Sequence, residues 1–436
     1  MSWLRFGLVL QLIICPVFCQ FVFPDVIIQA YNPKGLRIYV EARPDIKLFV
    51  FEGKINEKIE GTAPGDISVD IKTPTDGKFS YYDGDLQLNV GDTIYYWVYV
   101  QSDKAGFTRL DRSWKVTSLL NPQQDCMDTR TVVAGSGKPI CQGNIIFEDD
   151  FSNGVIDSSL WSVEQYIPLY TEDNYEFVSY QDINQCRFVR DSKLFLKPII
   201  VGENDILGTL DLTKGCTRSN KHACFHQQIG SNIIPPIKSG KIVSKLAFKY
   251  GKVEIRAKVP VGDWIYPQIE LVPDDPSKQY PKFLIAYTRG NERLTLVNGF
   301  DLGSTLLFGG YANSSQEPER STSLPSIRVT SPIGSDMNVF TLIWSPNQIE
   351  LLLNGEVYGT IPKSFNLDNY RISLGVGVGG NVDFPDGVLS GSFRKPWRNN
   401  VIKQAKAFFD EKSTWASTWK GDDVALQVDY VKVYAI

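Results

Sequence analysis

Histidine, net charge and long apolar runs are all scarce in this chain. Two of its 436 residues are histidine, so a Ser-His-Asp catalytic triad has little support. The formal net charge of -4 supplies no basic field that could hold nucleic acid or an anionic membrane. Beyond the N-terminus, no stretch is apolar enough to span a bilayer. The sequence therefore argues against a nucleic-acid-binding protein and against a membrane-spanning one.

The N-terminal segment, residues 1–19, has the pattern of a secretory signal peptide. Arg5 supplies the positive charge, and residues 6–15 form an apolar region that is too short to span a membrane. An N-terminal anchor is the alternative. A glycosylation sequon at Asn313-Ser314-Ser315 agrees with secretion. We therefore expect a secreted, extracellular protein.

Cysteine usage predicts two disulfide bonds and one unpaired thiol. Two of the seven cysteines lie in the signal peptide, and five remain. In an oxidising compartment, proximity along the chain favours a disulfide between Cys216 and Cys224. Proximity also suggests a disulfide between Cys126 and Cys141, which leaves Cys186 unpaired. The sequence alone leaves other pairings open.

His222 and His226 raise the alternative of a metal site, because Cys224 lies between them. An i, i+4 pair converges on a metal only when both residues lie on a helix. The flanking glycine, cysteine and serine residues favour a disulfide loop instead. No metal and no cofactor is predicted.

The pattern of short runs predicts an all-β chain. Apolar and polar residues alternate in residues 253–259, which is typical of a half-buried strand. Residues 94–100 are apolar on both faces, and residues 428–434 predict a final strand. A weak helical pattern covers residues 400–412.

Length and composition indicate more than one domain. Residues 121–143 have the composition of a linker. Strands recur about every ten residues in residues 20–120, which predicts an immunoglobulin-like β-sandwich. Residues 144–436 have the size of a large jelly-roll, or concanavalin-like, β-sandwich.

The second segment carries a series of landmarks in order, at residues 145–151, 161, 174–177, 188–194, 250–256, 263–267, 378–380, 384–386 and 428–434. With these landmarks it resembles glycoside hydrolase family 16, whose active members are retaining β-glucanases. The resemblance implies aromatic sugar contacts at Trp264 and Tyr266, although core packing of these rings is an equal alternative.

The resemblance also implies that this segment has lost its catalytic groups. The family carries the pattern Glu-Ile-Asp-Ile-Met-Glu before a turn that matches Arg289-Gly290-Asn291. Counting back from that turn, Lys282 stands at the nucleophile position, Leu284 at the assisting position and Tyr287 at the acid/base position. Retaining hydrolysis needs two carboxyl groups about 5–5.5 Å apart. None of these three residues supplies one, so we expect no enzyme activity.

Other carboxylates nearby keep an unusual glucanase as an alternative. Those close in sequence are Glu270, Asp274, Asp275 and Glu292. The expected role for such residues is solvated or ion-paired, and Lys282 is a possible partner for Glu270.

The first segment carries a second series of landmarks, at residues 31–37, 49–57, 70–71, 77–83 and 91–97. With these landmarks it resembles carbohydrate-binding module family 39, the glucan-binding module of insect recognition proteins. In that family a sheet face binds β-1,3-glucan, and Asp70 matches an acidic binding position. Phe79 stands where the family often has Trp, and Tyr82 where it often has Arg. Asp66 and Asp83 are further candidates, with a role in turns as the alternative.

Taken together, the chain resembles the β-1,3-glucan recognition and Gram-negative-bacteria-binding proteins of invertebrates. The resemblance implies a pattern-recognition protein in a haemolymph-like fluid. It also implies microbial polysaccharide as ligand, and extracellular serine proteases of the Toll or prophenoloxidase cascades as partners. The alternatives are a secreted β-1,3-glucanase with unusual catalytic residues and an interaction protein that has lost glucan affinity.

Overall fold

The computed structural model describes residues 21–75, 77–103, 105–120, 129–135, 140–172, 174–314, 324–362 and 367–436. The chain divides into two compact units, Met1–Asp125 and Cys126–Ile436. Each unit has its own hydrophobic core. The predicted signal peptide lies outside the described residues.

The smaller unit is a β-sandwich of antiparallel strands. A three-stranded sheet in the order β1-β2-β5 faces a four-stranded sheet in the order β4-β3-β6-β7. The strands are β1 (Ile27–Ala30), β2 (Leu36–Glu41), β3 (Ile46–Ile55), β4 (Ile67–Ile71), β5 (Lys78–Asp83), β6 (Thr93–Ser102) and β7 (Gly106–Lys115).

The core of this unit forms because successive side chains of a strand point to opposite faces of its sheet. Phe49 and Phe51 of β3 point inward together with Phe79 of β5, and all three are at most 1% exposed. The residues between them point outward. The outer faces of the two sheets are therefore the surfaces that this unit offers to a ligand.

The larger unit is a two-sheet sandwich of the jelly-roll type, so the prediction of an all-β chain with two sandwiches is confirmed. Its strands, in chain order, are β8 (Val132–Val133), β9 (Ile145–Asp149), β10 (Trp161–Val163), β11 (Val178–Tyr180), β12 (Arg187–Arg190), β13 (Lys193–Leu196), β14 (Ile199–Ile200), β15 (Thr209–Asp211), β16 (Phe225–Gln227), β17 (Ile237–Ser239), β18 (Lys241–Ser244), β19 (Phe248–Lys249), β20 (Gly251–Lys258), β21 (Ile265–Pro273), β22 (Lys282–Tyr287), β23 (Leu294–Thr295), β24 (Leu306–Ala312), β25 (Ser326–Arg328), β26 (Asn338–Trp344), β27 (Ile349–Leu353), β28 (Glu356–Ile361), β29 (Tyr370–Val378), β30 (Leu389–Ser390), β31 (Phe393–Arg394) and β32 (Leu426–Tyr434).

Two large sheets enclose the core of the larger unit. One runs in the order β10-β18-β29-β21-β22-β24-β25, with β19 and β8 attached. The other runs in the order β12-β13-β32-β20-β26-β27-β28, with β9 attached. Phe283 joins them, because its ring centroid lies 4.8 Å from that of Trp344 and 5.0 Å from that of Tyr370. The side chain of Phe283 therefore defines the face of β22 that packs into the core.

Helices occupy little of the described chain. The predicted helix within residues 400–412 corresponds to α1 (Gln404–Asp410) and α2 (Lys412–Trp415). Short 3-10 turns occur at Lys221–Ala223, Ile333–Ser335 and Ala416–Thr418. In the described residues, no helix combines the length and apolar character needed to cross a membrane.

Part of the predicted linker belongs to the larger unit. Strand β8 pairs with β19, and the backbone N–H of Arg130 donates to the carbonyl of Ile436 at 2.6 Å. These bonds hold residues 129–135 against the larger unit, whereas composition alone suggested a free connector.

The disulfide between Cys216 and Cys224 is confirmed, with an S–S distance of 2.10 Å. Cys126, the expected partner of Cys141, lies outside the described residues. Cys186 is a free, buried thiol, and burial raises its pKa to about 12. It therefore stays protonated and unreactive at neutral pH.

Replacing a core residue of the smaller unit should destabilise that unit alone. Phe79→Ala should cost about 3–5 kcal/mol because it leaves a cavity between the two sheets. Hydrogen exchange of the amides in residues 94–100, measured on the full chain, should speed up accordingly. As a control, Leu110→Ala removes a side chain that is 41% exposed and should cost less than about 1 kcal/mol. Equal effects of the two variants would contradict this assignment of Phe79.

Candidate functional site

The outer side of the four-stranded sheet in the smaller unit carries a row of aromatic side chains. Tyr95, Trp97 and Tyr99 occupy alternate positions of β6, and each is partly exposed while its neighbours are buried. Alternate side chains of a strand lie about 6.5 Å apart. We call this surface, formed by the outward residues of β4, β3 and β6, the aromatic face.

Strand register adds polar groups to the aromatic face. Asp70 lies opposite Val50, and Val50 lies opposite Tyr99. Directly opposed residues of antiparallel strands share a face. A carboxylate therefore lies two strands away from an aromatic ring on the same surface, with only a small apolar side chain between them.

A loop is held against the same surface by Trp97 and Glu52. The indole Nε1 of Trp97 donates to the carbonyl of Ala63 at 2.8 Å. Glu52 accepts from the backbone N–H of Gly65 at 2.7 Å and from the hydroxyl of Ser68 at 2.6 Å. A Cβ atom on Gly65 would lie 2.3 Å from the carbonyl oxygen of Gly53, so only glycine permits this approach. These contacts fix the edge of the aromatic face before any ligand arrives.

The residues predicted to bind glucan are spread over different parts of the sandwich. Asp66 and Asp70 are exposed on the side of the aromatic face. Tyr82 points outward from β5 in the opposite sheet, so it cannot share a ligand surface with Asp70. The prediction for Phe79 is wrong, because its ring is buried in the core. The side chain of Asp83 accepts from the backbone N–H groups of residues 85 and 86 at 2.9 and 3.1 Å, which is the turn role.

Sequence reasoning missed Tyr95, Trp97 and Tyr99. Residues 94–100 were interpreted as apolar on both faces, because tyrosine and tryptophan were counted with valine and isoleucine. The sequence does indicate the exposed face, because every second residue here is an aromatic side chain that carries a polar group. A tyrosine hydroxyl or indole N–H seeks a partner at a wet surface, whereas Val98 and Val100 do not.

In the larger unit, the three degenerate positions lie on β22. Lys282 and Leu284 lie opposite Ala312 and Gly310 of β24, and Tyr287 lies opposite Phe308 after a register shift. The expected bulge is therefore present between Leu284 and Tyr287. A bulge between Leu284 and Tyr287 brings residue 287 onto the same face of the strand as residues 282 and 284. The backbone of β22 can therefore present the side chains of these three positions together.

The side chains at these positions are ion-paired or buried. The Lys282 ammonium lies 2.7 Å from Oε1 of Glu270, and the two side chains are 14% and 7% exposed, so the predicted pairing is confirmed. Leu284 and Tyr287 are buried. Of the other carboxylates, Asp274 binds the guanidinium of Arg371 at 2.5 Å, which commits it to an ion pair.

The two remaining carboxylates near this strand lie at the surface. Asp275 accepts from the backbone N–H of Ser277 at 3.0 Å, which is a turn contact. Glu292 is exposed to solvent beyond the end of β22.

Trp264 is a core residue, whereas Tyr266 borders a cavity. The ring centroid of Trp264 lies 5.4 Å from that of Phe384 and 5.1 Å from that of Trp397, and the indole is buried, so it offers no face to a sugar. The hydroxyl of Tyr266 donates to Oε1 of Glu176 at 2.7 Å. Tyr266 also lines a cavity of the larger unit, so a sugar contact at this residue stays a prediction.

Glu176 is a buried carboxyl group below the cleft. Burial raises its pKa, and the nearby charge of Lys241 opposes that shift. Tyr180 and Gln268 also donate to its oxygens. With its lone pairs engaged by three donors, Glu176 organises the cleft floor.

The histidines do not form a metal site. His222 lies in the 3-10 turn inside the disulfide loop, and His226 lies on β16, so the two do not share a helix. Among the described residues, no group of three or more His, Cys, Asp or Glu side chains is arranged to hold a metal ion.

Breaking the buried ion pair from one side should destabilise the larger unit. Lys282→Met leaves Glu270 buried without its cation and should cost about 3 kcal/mol of unfolding free energy in urea. The double variant Lys282→Met/Glu270→Gln should recover most of that loss. The control Lys258→Met disrupts a pair with the exposed Asp423 and should cost less than about 1 kcal/mol. A double variant no more stable than Lys282→Met would contradict the pairing argument.

Comparison with known proteins finds relatives along almost the whole chain. It is 32% identical to β-1,3-glucan-binding protein 1 of Manduca sexta, over 95% of this chain and 96% of that protein. It is 32% identical to the β-1,3-glucan-binding protein of Hyphantria cunea, over 96% of both. It is 32% identical to Gram-negative bacteria-binding protein 2 of Drosophila melanogaster, over 77% of this chain and 74% of that protein.

Solved structures resemble the chain more distantly. An endo-β-1,3-glucanase from Pyrococcus furiosus has a TM-score of 0.45 and 16% identity, covering 67% of this chain and 94% of that one. The laminarinase catalytic domain from Thermotoga maritima has a TM-score of 0.43 and 17% identity, covering 67% of this chain and 98% of that one.

The family model CBM39, a carbohydrate binding domain (family 32), matches residues 22–128. Because the identity to the curated relatives extends over nearly the full length, the chain belongs to the family of β-1,3-glucan-binding and Gram-negative bacteria-binding proteins.

Proposed function

We propose that this protein recognises microbial polysaccharide and that its smaller unit binds β-1,3-glucan on the aromatic face. The observation that carries the proposal is the row of Tyr95, Trp97 and Tyr99 with Asp70 on the same surface. Aromatic rings pack against the apolar faces of sugar rings, and a carboxylate accepts hydrogen bonds from sugar hydroxyls. The names of the relatives, which are glucan-binding proteins, support the same ligand.

The larger unit acts in this proposal as a binding scaffold and not as an enzyme. Retaining hydrolysis requires a nucleophile and an acid/base about 5–5.5 Å apart. Lys282 is held by Glu270, and Leu284 has no proton to exchange. Tyr287 is buried, and the reference pKa of tyrosine, near 10, makes it a poor acid at neutral pH.

The cellular setting follows from the same proposal. A secretory signal in residues 1–19 and a sequon at Asn313 fit an extracellular glycoprotein, and Asn313 is exposed. Signalling to extracellular serine proteases of a Toll or prophenoloxidase cascade remains a prediction from the family resemblance.

Removing one ring of the aromatic face should weaken glucan binding. Trp97→Ala in the full chain should reduce retention on insoluble curdlan, a β-1,3-glucan, at least about tenfold, which corresponds to ~1.4 kcal/mol. Asp70→Asn, which keeps the shape and removes the charge, should also reduce retention. Tyr82→Ala, on the opposite sheet, is the control and should retain curdlan binding.

Two results would count against this assignment. A loss of retention with Tyr82→Ala but not with Trp97→Ala would move the glucan surface to the other sheet. If the unmodified protein is not retained at micromolar concentration, glucan recognition itself is wrong, and an interaction protein without glucan affinity becomes the better account.

The full chain should release no reducing ends from laminarin over a long incubation. The physical reason is the replacement of all three catalytic positions by Lys282, Leu284 and Tyr287. A reducing-sugar assay against a buffer control measures this directly. Turnover that disappears in Glu270→Gln would establish the glucanase alternative.

A further inference from the structure

The larger unit contains a cavity to which the proposed glucan binding by the aromatic face assigns no role. It has a volume of about 610 Å³, which lies within the range of about 300–1,000 Å³ typical of small-molecule sites. Strand register defines a row along its floor, because Ser162 pairs with Val243, Val243 with Ser373, and Ser373 with Glu270. The cavity thus crosses β10, β18, β29 and β21 in turn. We call it the cleft cavity.

The cleft cavity ends at β22. The next residue of the floor row, opposite Glu270, is Leu284, which is 1% exposed and does not line the cavity. Lys282 is at this boundary and does line it. None of the described residues of β24 or β25 contributes to the lining. The cavity therefore extends from β22 across β21, β29, β18 and β10, and it does not extend across β24 and β25 on the other side of β22.

An aromatic plug accounts for this closed end. Its members, Tyr266, Tyr287, Phe308 and Phe384, are all buried. The ring centroid of Tyr287 lies 6.1 Å from both Tyr266 and Phe308, and that of Phe384 lies 6.0 Å from Tyr266. The guanidinium of Arg289 lies 5.3 Å from the centroid of the Tyr287 ring, and its Nε donates to the carbonyl of Asp383. A saccharide chain would have to displace these packed groups to continue past β22.

Two ion pairs between opposite charges lie in the lining of the cleft cavity. Lys282 pairs with Glu270 at 2.7 Å, and Arg371 pairs with Asp274 at 2.5 Å. A ligand with a strong net charge would have to break such a pair. A neutral ligand rich in hydroxyl groups would instead add hydrogen bonds to the charged side chains without displacing their partners.

We propose that the cleft cavity binds the terminal segment of a neutral polysaccharide chain, without cleaving it. The reason for a chain end is geometric, because a segment inside a long chain must leave the site on both sides of β22. The inference rests on the proposed function in one respect, namely that the larger unit does not hydrolyse its ligand. Glucan chain ends would then be held by this cavity, while the aromatic face of the smaller unit binds along the chain.

A substitution that fills the cleft cavity tests the site. Val243→Phe places a larger ring in the middle of the floor row, and Val357→Phe makes the same change at an exposed position of β28. Both are made in the full chain carrying Trp97→Ala, so that the aromatic face contributes little. Isothermal titration with laminaritriose should show at least tenfold weaker binding for Val243→Phe and no change for Val357→Phe.

The outcomes separate this inference from the proposed function. If laminaritriose does not bind the Trp97→Ala protein at millimolar concentration, or if Val243→Phe leaves its affinity unchanged, the cavity is not a saccharide site. Curdlan retention of otherwise unmodified protein should not depend on Val243. If the protein without any substitution is not retained on curdlan, while the Trp97→Ala protein binds laminaritriose and Val243→Phe weakens that binding, the aromatic face is refuted and the cavity site stands.

A ligand without ends tests the chain-end argument. A cyclic β-glucan offers the same sugar units in a closed ring, and it should fail to compete with laminaritriose for the Trp97→Ala protein. A linear oligosaccharide of similar length should compete. Equal competition by the cyclic and linear compounds would overturn recognition of chain ends.

Discussion

The alternation of side chains across a pleated strand governs this structure more than any single contact. On β5 and β6 it decides that Phe79 is core and that Trp97 is surface, although both are large aromatic residues. On β21 and β22 it puts Glu270 and Lys282 on one side and Phe283 on the other. A shift of one residue in either strand would exchange the core with the ligand surface. The binding surfaces are thus set by backbone register, and side-chain chemistry then determines what each surface can do.

The side chains of β22 are well suited to packing. Lys282 forms an ion pair with Glu270 in a partly buried place, where a lone carboxylate would be unfavourable. Leu284 and Tyr287 extend the apolar packing toward Phe308. Phe283 of the same strand closes the core against Trp344. Under the proposed function, this strand serves packing and not hydrolysis.

Much of the fold could be predicted from the sequence, since alternation and turn residues mark strands directly. The all-β class, the final strand and the Cys216–Cys224 bond follow from local patterns. The candidate surface was harder, because ranking aromatic residues by type does not say which sheet face they occupy. Phe79, a candidate ligand contact by type, is buried, whereas Trp97, which the sequence does not single out, is partly exposed. Residues 129–135 also joined the larger unit through backbone pairing, which composition does not encode.

The disulfide loop has a consequence for the cleft cavity beside it. Thr217, Arg218 and Asn220 lie between the two bonded cysteines and form part of the cavity wall. A cross-link that limits the freedom of this wall lowers the entropy that a ligand must remove on binding. The sheets below are held by their own ladders and do not depend on that bond. Reduction of the Cys216–Cys224 disulfide would therefore increase the mobility of the cavity wall and weaken ligand binding. The two sheets of the larger unit would keep their structure.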